Sequence, residues 1–384
     1  MIRLLQTGDW HLGRYLHGVS LLQEQAHMLD QFVALAASEG VDAVIIAGDV
    51  YDRSVPPADA VALLDDVLSR LVVDCGIPVV VIAGNHDSAE RIAFGGRIFG
   101  RQGLYLRGTL DDLSPILLRD THGTVALHPL PYVEPVFARA LSGGEAICDH
   151  QSAMSHVVSM LRAQRVPGHR NVLIGHAFVT GGSESESERP LSVGGSGMVA
   201  ADTFEGFDFV ALGHLHRPQI VGSDRIHYAG SLLKYSFNEV DQAKSVSLVD
   251  IGANGTPSIH RISLVPQRDV RIVSGTLAEL LHQPDTRFSL DDYLCAHLTD
   301  VNPVLDPMAR LREVYPNMME LQFARATGGD AAARAVGDHR RRRPDDLFRA
   351  FYRDMLGAEI DEAALQVFNE TARTVEGDCE RGSA

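Results

Sequence analysis

Eight side chains that could bind metal ions or transfer protons stand just after apolar, β-branched runs of the sequence. They are Asp9, His11, Asp49, Asn85, His86, His176, His214 and His216. Carboxylate, amide and imidazole groups without a thiolate suit Mn, Fe, Zn or Co better than Mg or Ca. Apolar runs of this kind form buried strands, and in α/β sheets binding sites form where strands end. The pattern therefore predicts a metal centre assembled from five strand ends.

The number of these ligands exceeds what one metal ion can use. Two ions about 3.5–4 Å apart can share them if one carboxylate bridges the pair. Asp49 is the predicted bridge because it is the lone ligand after its strand. The other ligands divide into a first set, Asp9, His11 and His216, and a second set, Asn85, His176 and His214.

Two pairs of ligands are separated by a single residue, Asp9 with His11 and His214 with His216. On an extended backbone the members of such a pair point to the same side of the strand. His214 and His216 would then lie about 7 Å apart along the strand, so each could serve a different ion.

A pair of bridged ions would activate a hydroxide and stabilise the charge that develops on a phosphate. His86 is left over from the ligand sets. We expect it to act as the general acid, or to stabilise the transition state, near the leaving oxygen. Asp87 is expected to orient His86. These residues together predict hydrolysis of a phosphoester.

Alternating strands and helices position the ligands in the first part of the chain. Strands are predicted at 3–7, 41–47 and 78–83, with helices at 20–39 and 58–73 between them. Strands that alternate with helices favour parallel pairing through right-handed crossovers. We therefore expect the ligands to converge on one rim of a parallel sheet.

The middle of the chain is richer in strands. They are predicted at 124–130, 171–174, 208–212, 225–228 and 245–249, with a helix at 150–164. The loop from Gly181 to Gly197 is rich in glycine, serine and glutamate. We interpret its Ser/Glu part as a mobile, solvated loop.

The composition is that of an ordinary globular protein, with 384 residues, 45% hydrophobic and 22% charged. The length favours two or three domains, and no apolar run approaches the roughly 20 residues of a membrane span. Four cysteines lie far apart with no CxxC motif, which fits a reducing cytosol and predicts a cytoplasmic protein. A net charge of −16 argues against nonspecific binding of polyanions, but not against nucleic acid at a local, metal-neutralised site.

The composition changes after about residue 266. We predict a catalytic domain at 1–266, a small α+β capping domain at 267–325, a linker at 326–344 and a helical segment at 345–384. The linker contains the run Arg340–Arg343, for which a solvated linker is favoured over a DNA contact. The helical segment is amphipathic, so a partner could supply the other half of its core.

The motifs, in their order along the chain, resemble those of the calcineurin-like metallophosphoesterase superfamily. They are Asp9-x-His11, Gly48-Asp49, Gly84-Asn85-His86-Asp87, Gly175-His176 and Gly213-His214-x-His216. The sequence around them is similar to the SbcD family of bacterial nuclease subunits over nearly the whole chain. The resemblance implies an α/β fold: a β-sandwich flanked by helices, with a small capping domain and a C-terminal helical segment. Gly8 stands where the family usually has Ser. Asp52 stands where archaeal and eukaryotic relatives carry His, although bacterial members commonly have Asp.

The resemblance to SbcD implies Mn-dependent cleavage of DNA, as a 3′→5′ exonuclease on duplex ends and an endonuclease on hairpins or single strands. It also implies an SbcC-type ATPase as partner, gripped by the C-terminal helices, and a homodimer within a heterotetramer. The ATPase would reside in the partner, because this chain has no GxxxxGK(S/T) motif. Arg14, Arg53 and Arg91 lie beside the motif loops and are candidates for contacts with DNA phosphates.

Two other functions fit the same residues. A different phosphoesterase, such as a cyclic-nucleotide phosphodiesterase or a phosphoprotein phosphatase, could use this site, but a compact phosphatase would not need residues 268–375. A non-catalytic scaffold that recruits an ATPase would be marked by lost metal ligands, and none is lost here.

Overall fold

The structure is a computed structural model that describes most of the chain. The described residues are 1–142, 147–189, 191, 197–284, 288–323, 348–349, 352–353, 357 and 359–381. The predicted linker at 326–344, with Arg340–Arg343, lies outside them, as does part of the predicted helical segment. The chain separates into two compact units, Met1–Arg271 with Asp291–Tyr293, and Ile272–Leu290 with Leu294–Ala384.

The strands are numbered in chain order. They are β1 (Ile2–Thr7), β2 (Tyr15–Leu16), β3 (Val19–Ser20), β4 (Ala43–Ile46), β5 (Val79–Ile82), β6 (Leu104–Arg107), β7 (Ile116–Asp120), β8 (Gly123–Pro129), β9 (Arg170–His176), β10 (Phe178–Val179), β11 (Met198–Val199), β12 (Phe209–Gly213), β13 (Gln219–Ile220), β14 (Ile226–Tyr228), β15 (Ser245–Ile251), β16 (Pro257–Ser263), β17 (Val270–Gly275), β18 (Tyr293–Leu298) and β19 (Met318–Phe323).

The α-helices are numbered in the same way. They are α1 (Leu22–Ser38), α2 (Ala58–Ser69), α3 (Ala89–Ala93), α4 (Gly96–Phe99), α5 (Pro135–Ser142), α6 (His150–Ala163), α7 (Leu277–His282), α8 (Pro307–Arg312) and α9 (Glu362–Arg381). A π-helical turn follows α2 at Arg70–Asp74, and short 3₁₀ turns lie at Gly100–Gln102, Ala201–Phe204 and Phe237–Glu239. Each strand and helix predicted in the first 250 residues is present, so those element predictions are confirmed.

Two six-stranded sheets form the first unit. The first sheet has the order β16-β15-β1-β4-β5-β6, with β1, β4, β5 and β6 parallel and β15 and β16 antiparallel. The second has the order β13-β14-β12-β9-β8-β7, with β8, β9, β12 and β14 parallel. The ligand-bearing strands are therefore divided between two sheets, and the expectation of one parallel sheet is wrong.

The two sheets pack face to face as a β-sandwich, which confirms the fold that the family resemblance implied. Ile45 and Ile82 of the first sheet share one buried cluster with Leu127, Ile174 and Phe209 of the second. The cluster excludes water from both inner faces, and its burial is the main term that stabilises the pair of sheets.

The outer face of the second sheet is covered by α6. Val172 and Ile174 of β9 lie in the cluster between the sheets, whereas Leu173 joins Val157 and Leu161 of α6 in a separate cluster. Both faces of this strand are thus buried, which explains why its sequence is a continuous apolar run and not an alternating one. One sheet covered by helices and two stacked sheets both give such a run, so the sequence pattern does not distinguish the two arrangements.

The second unit contains a three-stranded sheet of order β17-β18-β19, in which β18 and β19 are parallel. Leu277 and Leu280 of α7 and Leu311 of α8 pack with Leu294 and Met318 of this sheet. Short strands and helices therefore alternate between 268 and 323, which confirms the α+β character predicted for this part of the chain. Among the described residues, no helix combines the length and the apolar character that crossing a membrane requires.

Phe209→Ala should lower the free energy of unfolding by about 3–5 kcal/mol, because it leaves a cavity between the sheets where the side chain is fully buried. Chemical denaturation followed by circular dichroism would measure the change. Phe94 is 79% exposed and provides the control, since Phe94→Ala should change the stability by less than about 0.5 kcal/mol. Equal effects of the two substitutions would contradict the assigned core.

Candidate metal centre

The carboxyl ends of strands from both sheets meet at one edge of the sandwich. Nδ1 of His176, the last residue of β9, lies 2.9 Å from the carbonyl oxygen of Ala47, directly after β4. The backbone N–H of His214, directly after β12, donates to Oδ1 of Asp9 at 2.8 Å. The predicted ligands of the two sheets therefore face one another across this edge.

Four of the predicted ligands have a left-handed backbone. The φ angle is 51° at Asp9, 46° at His11, 49° at Asp49 and 104° at His214. Residues other than glycine rarely adopt positive φ, and such strain is concentrated at functional sites. The strands thus end before the ligands, and the expectation that Asp9 and His11 lie on an extended backbone is wrong. The sharp turns aim the side chains into the site instead.

Three ligands of the first predicted set and the shared Asp49 lie together. Nε2 of His11 lies 3.0 Å from Nε2 of His216 and 3.8 Å from Oδ2 of Asp49. Donor atoms of Asp9, His11 and Asp49 all fall within 4.8 Å of one another. This geometry is that of a site whose donors converge on a common point.

The second predicted set converges in the same way. Oδ1 of Asn85 lies 2.9 Å from Nε2 of His176 and 3.1 Å from Nδ1 of His214. Asp49, His176 and His214 have donor atoms within 4.8 Å of one another. Oδ2 of Asp49 is 3.5 Å from Nε2 of His176 and also faces His11, so its carboxylate lies between the two sets.

Hydrogen bonds fix which ring nitrogen of His176 faces the site. A carbonyl oxygen only accepts, so Nδ1 must carry the proton that it donates to Ala47. When the ring is neutral, the lone pair is on Nε2, the atom that faces Asn85 and Asp49. A backbone carbonyl of this kind is the usual partner of a metal-binding histidine.

The residues present fit a divalent metal centre. Oδ2 of Asp9 and Nδ1 of His11 are buried and have no hydrogen-bond partner among the described residues. An unpaired buried polar atom costs about 1–3 kcal/mol, and at Asp9 a bound cation would remove that cost. Two imidazole nitrogens that face each other at 3.0 Å, His11 and His216, would likewise be satisfied by an ion between them.

The electrostatics of the site lead to the same conclusion. Burial lowers the pKa of His11 and of His214 well below the usual range, which keeps both rings neutral and able to bind a metal. Burial opposes the charge on His176, yet the carboxylate of Asp49 raises the pKa of that ring to about 9. Burial also raises the pKa of Asp9 well above its ordinary value. A metal ion beside Asp9 would oppose this shift of its pKa and favour the ionised carboxylate.

Glycines allow the strand ends to approach this closely. A Cβ on Gly84 would lie 2.1 Å from Oδ1 of Asp49, and one on Gly213 would lie 2.0 Å from the carbonyl oxygen of Ala47. Gly48 has φ of +88°, and a Cβ there would meet Nδ1 of His176 at 2.5 Å. Any side chain at these three positions would push the ligands apart.

Comparison with known proteins identifies the family. Residues 2–218 match the model described as calcineurin-like phosphoesterase. A protein from Staphylococcus saprophyticus, named as the SbcD subunit of nuclease SbcCD, is 36% identical over 83% of this chain and 84% of its own length. A protein of the same name from Staphylococcus epidermidis is 34% identical over 83% of this chain and 85% of its own. This chain belongs to the SbcD branch of the calcineurin-like phosphoesterases.

Two further matches add detail. Residues 266–355 match the model described as type 5 capsule protein repressor C-terminal domain. A solved dimetal phosphatase from Danio rerio is 13% identical, covers 69% of this chain and 97% of its own, and has a TM-score of 0.42, which is too low to support an argument. The family assignment makes this chain a metal-dependent phosphoesterase, and its fold implies divalent metal at the His/Asp groups described above.

The ring of His86 borders the first ligand set of this SbcD-type phosphoesterase. Its centroid lies 4.6 Å from that of His11, and its backbone N–H donates to Oδ1 of Asp49 at 2.9 Å. Nδ1 of His86 is 2.8 Å from the carbonyl oxygen of Asp52, whereas Nε2 is buried and has no partner among the described residues. His86 therefore presents one uncommitted nitrogen at the site.

Asp87 does not hold the ring of His86 as expected. Its carboxylate accepts the backbone N–H groups of Val50, Tyr51 and Gly84 at 3.1, 2.9 and 2.9 Å. Burial, and then the charge of Asp49, raise its pKa to about 6. Asp87 thus ties the loop after β5 to the loop after β4, and the Asp52 carbonyl orients His86 instead. Backbone carbonyls leave no signature in a sequence, so this contact of Asp52 with His86 could not be predicted.

The three candidate arginines differ in their surroundings. Arg14 donates to Oδ1 of Asp52 at 3.2 Å and to the carbonyl oxygen of Ser187 at 2.7 Å, and its guanidinium lies over the ring of Tyr235. Arg53 and Arg91 are exposed. Arg14 is therefore engaged within the protein, whereas Arg53 and Arg91 present their charge to solvent.

Asp49→Asn should weaken the binding of two ions, because the carboxylate of Asp49 lies between both ligand sets. Asn85→Ala should weaken the binding of only one ion, since the Asn85 side chain contacts His176 and His214 of the second set. Isothermal titration calorimetry with Mn²⁺ would give both affinities. We expect each affected affinity to fall at least about tenfold, because substitutions of residues that only contact the metal ligands already cost that much. If Asp49→Asn weakened the binding of only one ion, Asp49 would not be the ligand that bridges the two ions.

Proposed function

We propose that this chain is the nuclease subunit of an SbcCD-type complex and cleaves DNA phosphodiester bonds. The observation that carries the proposal is the extent of the similarity to proteins named as the SbcD subunit of nuclease SbcCD, which spans 83% of the chain. The similarity extends over 320 residues, whereas the phosphoesterase model matches residues 2–218, so the similarity covers more of the chain than that model does. A phosphatase that shares only the fold would not account for it.

The domain division that we propose for this role is based on the sequence. We propose a nuclease domain at 1–266, a capping domain at 267–325, a linker at 326–344 and a helical segment at 345–384 that binds the coiled coil of an SbcC-type ATPase. The described C-terminal helix α9 is amphipathic in sequence, with Leu365 and Phe368 in its first two turns. The assembly would be a homodimer of this chain within a heterotetramer.

The proposed cofactor is a pair of Mn²⁺ ions. Asp9, His11 and His216 would hold one, and Asn85, His176 and His214 the other, with Asp49 shared. Mixed oxygen and nitrogen donors without thiolate suit this metal. When bound, such a pair supplies Lewis-acid stabilisation of phosphoryl charge and lowers the pKa of water. The protein contributes a rigid, buried cradle that sets where the phosphate can sit.

His86 is the proposed catalytic residue. Its Nδ1 proton is committed to the Asp52 carbonyl, so a second proton must sit on Nε2 before the ring can donate to a leaving oxygen. That nitrogen has no competing partner among the described residues and lies beside the ligand cluster. Asp87 contributes by fixing the loop that carries His86. The proposed reactions are 3′→5′ exonuclease action on duplex ends and endonuclease action on hairpins or single strands.

His86→Ala should lower DNA cleavage by about 10²–10⁴-fold, the usual contribution of a general acid, while Mn²⁺ binding is retained. The assay is degradation of an end-labelled duplex by the purified chain with Mn²⁺, repeated after removal of metal with EDTA. His122→Ala is the control, because His122 is exposed and distant in sequence from the motifs. EDTA should abolish cleavage by every variant.

Two results would overturn the proposal. Turnover of bis-p-nitrophenyl phosphate without DNA cleavage, alone and with an SbcC-type ATPase, would indicate a phosphodiesterase with a different substrate. Metal binding without either activity would indicate a scaffold. Full activity of His86→Ala would retain the nuclease and exclude His86 from the chemistry.

A further inference from the structure

The serine- and glutamate-rich loop after β10 is ordered against the metal centre in its described part. Ser185 and Ser187 are only 6% and 8% exposed, although the composition of the loop predicts a solvated segment. Nε2 of Gln242 donates to Oγ of Ser185 at 2.9 Å, and Arg14 donates to the carbonyl oxygen of Ser187 at 2.7 Å. Ser185 and Ser187 of the alternating serine and glutamate run therefore turn inward.

Ser187 contacts a predicted metal ligand. Its Oγ lies 2.6 Å from Nδ1 of His216 and also contacts Oε1 of Glu239. The carboxylate can only accept, so the Ser187 hydroxyl donates to Glu239 and accepts the Nδ1 proton of His216. The lone pair of His216 is then on Nε2, which faces His11 at 3.0 Å.

The carboxylate of Glu239 is itself held. It is fully buried, and Nζ of Lys244 lies 2.6 Å from its Oε2. Lys244 is 8% exposed and also donates to the carbonyl oxygen of His216 at 2.8 Å. Two opposite charges are therefore buried together, and both act on the same histidine, Glu239 through Ser187 and Lys244 directly. A buried ion pair costs desolvation and is seldom retained for stability alone.

Three polar groups of His216 are hydrogen-bonded to the protein, while Nε2 faces His11 in the site. The N–H donates to Oε1 of Glu188 at 2.6 Å, the carbonyl accepts from Lys244, and Nδ1 donates to Ser187. Glu188 belongs to the same loop as Ser187. The loop therefore fixes the position of the His216 ring as well as its tautomer.

We propose that Ser187, supported by Glu239 and Lys244, is a positioning residue that sets the affinity of one ion of the metal pair through His216. The inference rests on the proposed two-metal centre and adds the Ser/Glu loop to it. Ser187 does not touch the reacting atoms. Its effect is confined to the ligand set of His11 and His216, because the second set contains none of its contacts.

The test is a titration of the purified full chain with Mn²⁺ alone, in which isothermal titration calorimetry measures the binding of each ion. Wild-type protein should bind two ions. Ser187→Ala should bind one of them about 10–100-fold more weakly, as is usual when the partner of a ligating histidine is removed, and the other with unchanged affinity. Ser187→Thr keeps the hydroxyl and should restore the lost affinity.

Ser185→Ala is the matched control. Ser185 lies in the same loop and is equally buried, but its hydroxyl contacts Gln242 and not His216. If the loop acted only by packing, the two serine variants would weaken metal binding alike. We expect Ser185→Ala to bind both ions as the wild type does.

Several outcomes would overturn the inference. They are unchanged binding by Ser187→Ala, equal weakening of both ions, or the same effect from Ser185→Ala. If wild-type protein itself fails to bind two ions, the proposed metal pair is wrong instead. Should Ser187→Ala not fold, Ser187→Cys replaces it, since a thiol keeps the shape but is a weaker donor and acceptor. We then expect Ser187→Cys to bind one of the two ions more weakly and the other with unchanged affinity.

Discussion

The contact between the turn after β4 and the ends of β9 and β12 is the constraint on which the site depends. The carbonyl oxygen of Ala47 accepts from Nδ1 of His176, and it lies where a Cβ on Gly213 would be. Gly48 and Gly84 allow equally close approach around Asp49. This turn belongs to one sheet and its partners to the other, so the ligand sets form only when the sandwich closes. A complete metal site therefore requires that the two sheets are packed together.

The same constraint explains why strained backbone persists here. Left-handed φ at Asp9, His11 and Asp49 costs on the order of 1–3 kcal/mol for each residue. The cost is tolerated because the strands before these turns are locked into the core between the sheets, where residues such as Ile45 are fully buried. A flexible scaffold would relax the turns and separate the ligands. The rigid apolar core thus holds the strained turns that position the ligands.

How far the sequence predicts this site depends on the kind of interaction. Asp49 and His176 could be identified because ligand type and position after a strand are local properties of the chain. That these strands belong to two sheets could not be read from periodicity, since strands buried on both faces give the same apolar runs in either arrangement. The contact of Ser187 with His216 was also missed, because composition alone reports a Ser/Glu segment as solvated. Only tertiary packing shows which serines turn inward.

The charge distribution bears on how an acidic chain could attract a polyanion. The net charge is −16, and Arg14, the guanidinium beside the site, is bound to Asp52 and Ser187. A cavity of about 580 Å³ next to Asn85 is lined by further carboxylates, among them Glu134. These carboxylates oppose the approach of a phosphate, whereas the exposed Arg53 and Arg91 favour it. In the proposed function the two cations would add positive charge at the centre itself, so metal would help to hold the phosphodiester as well as to cleave it. The buried hydrogen bonds that orient the histidines would then govern substrate binding and chemistry together.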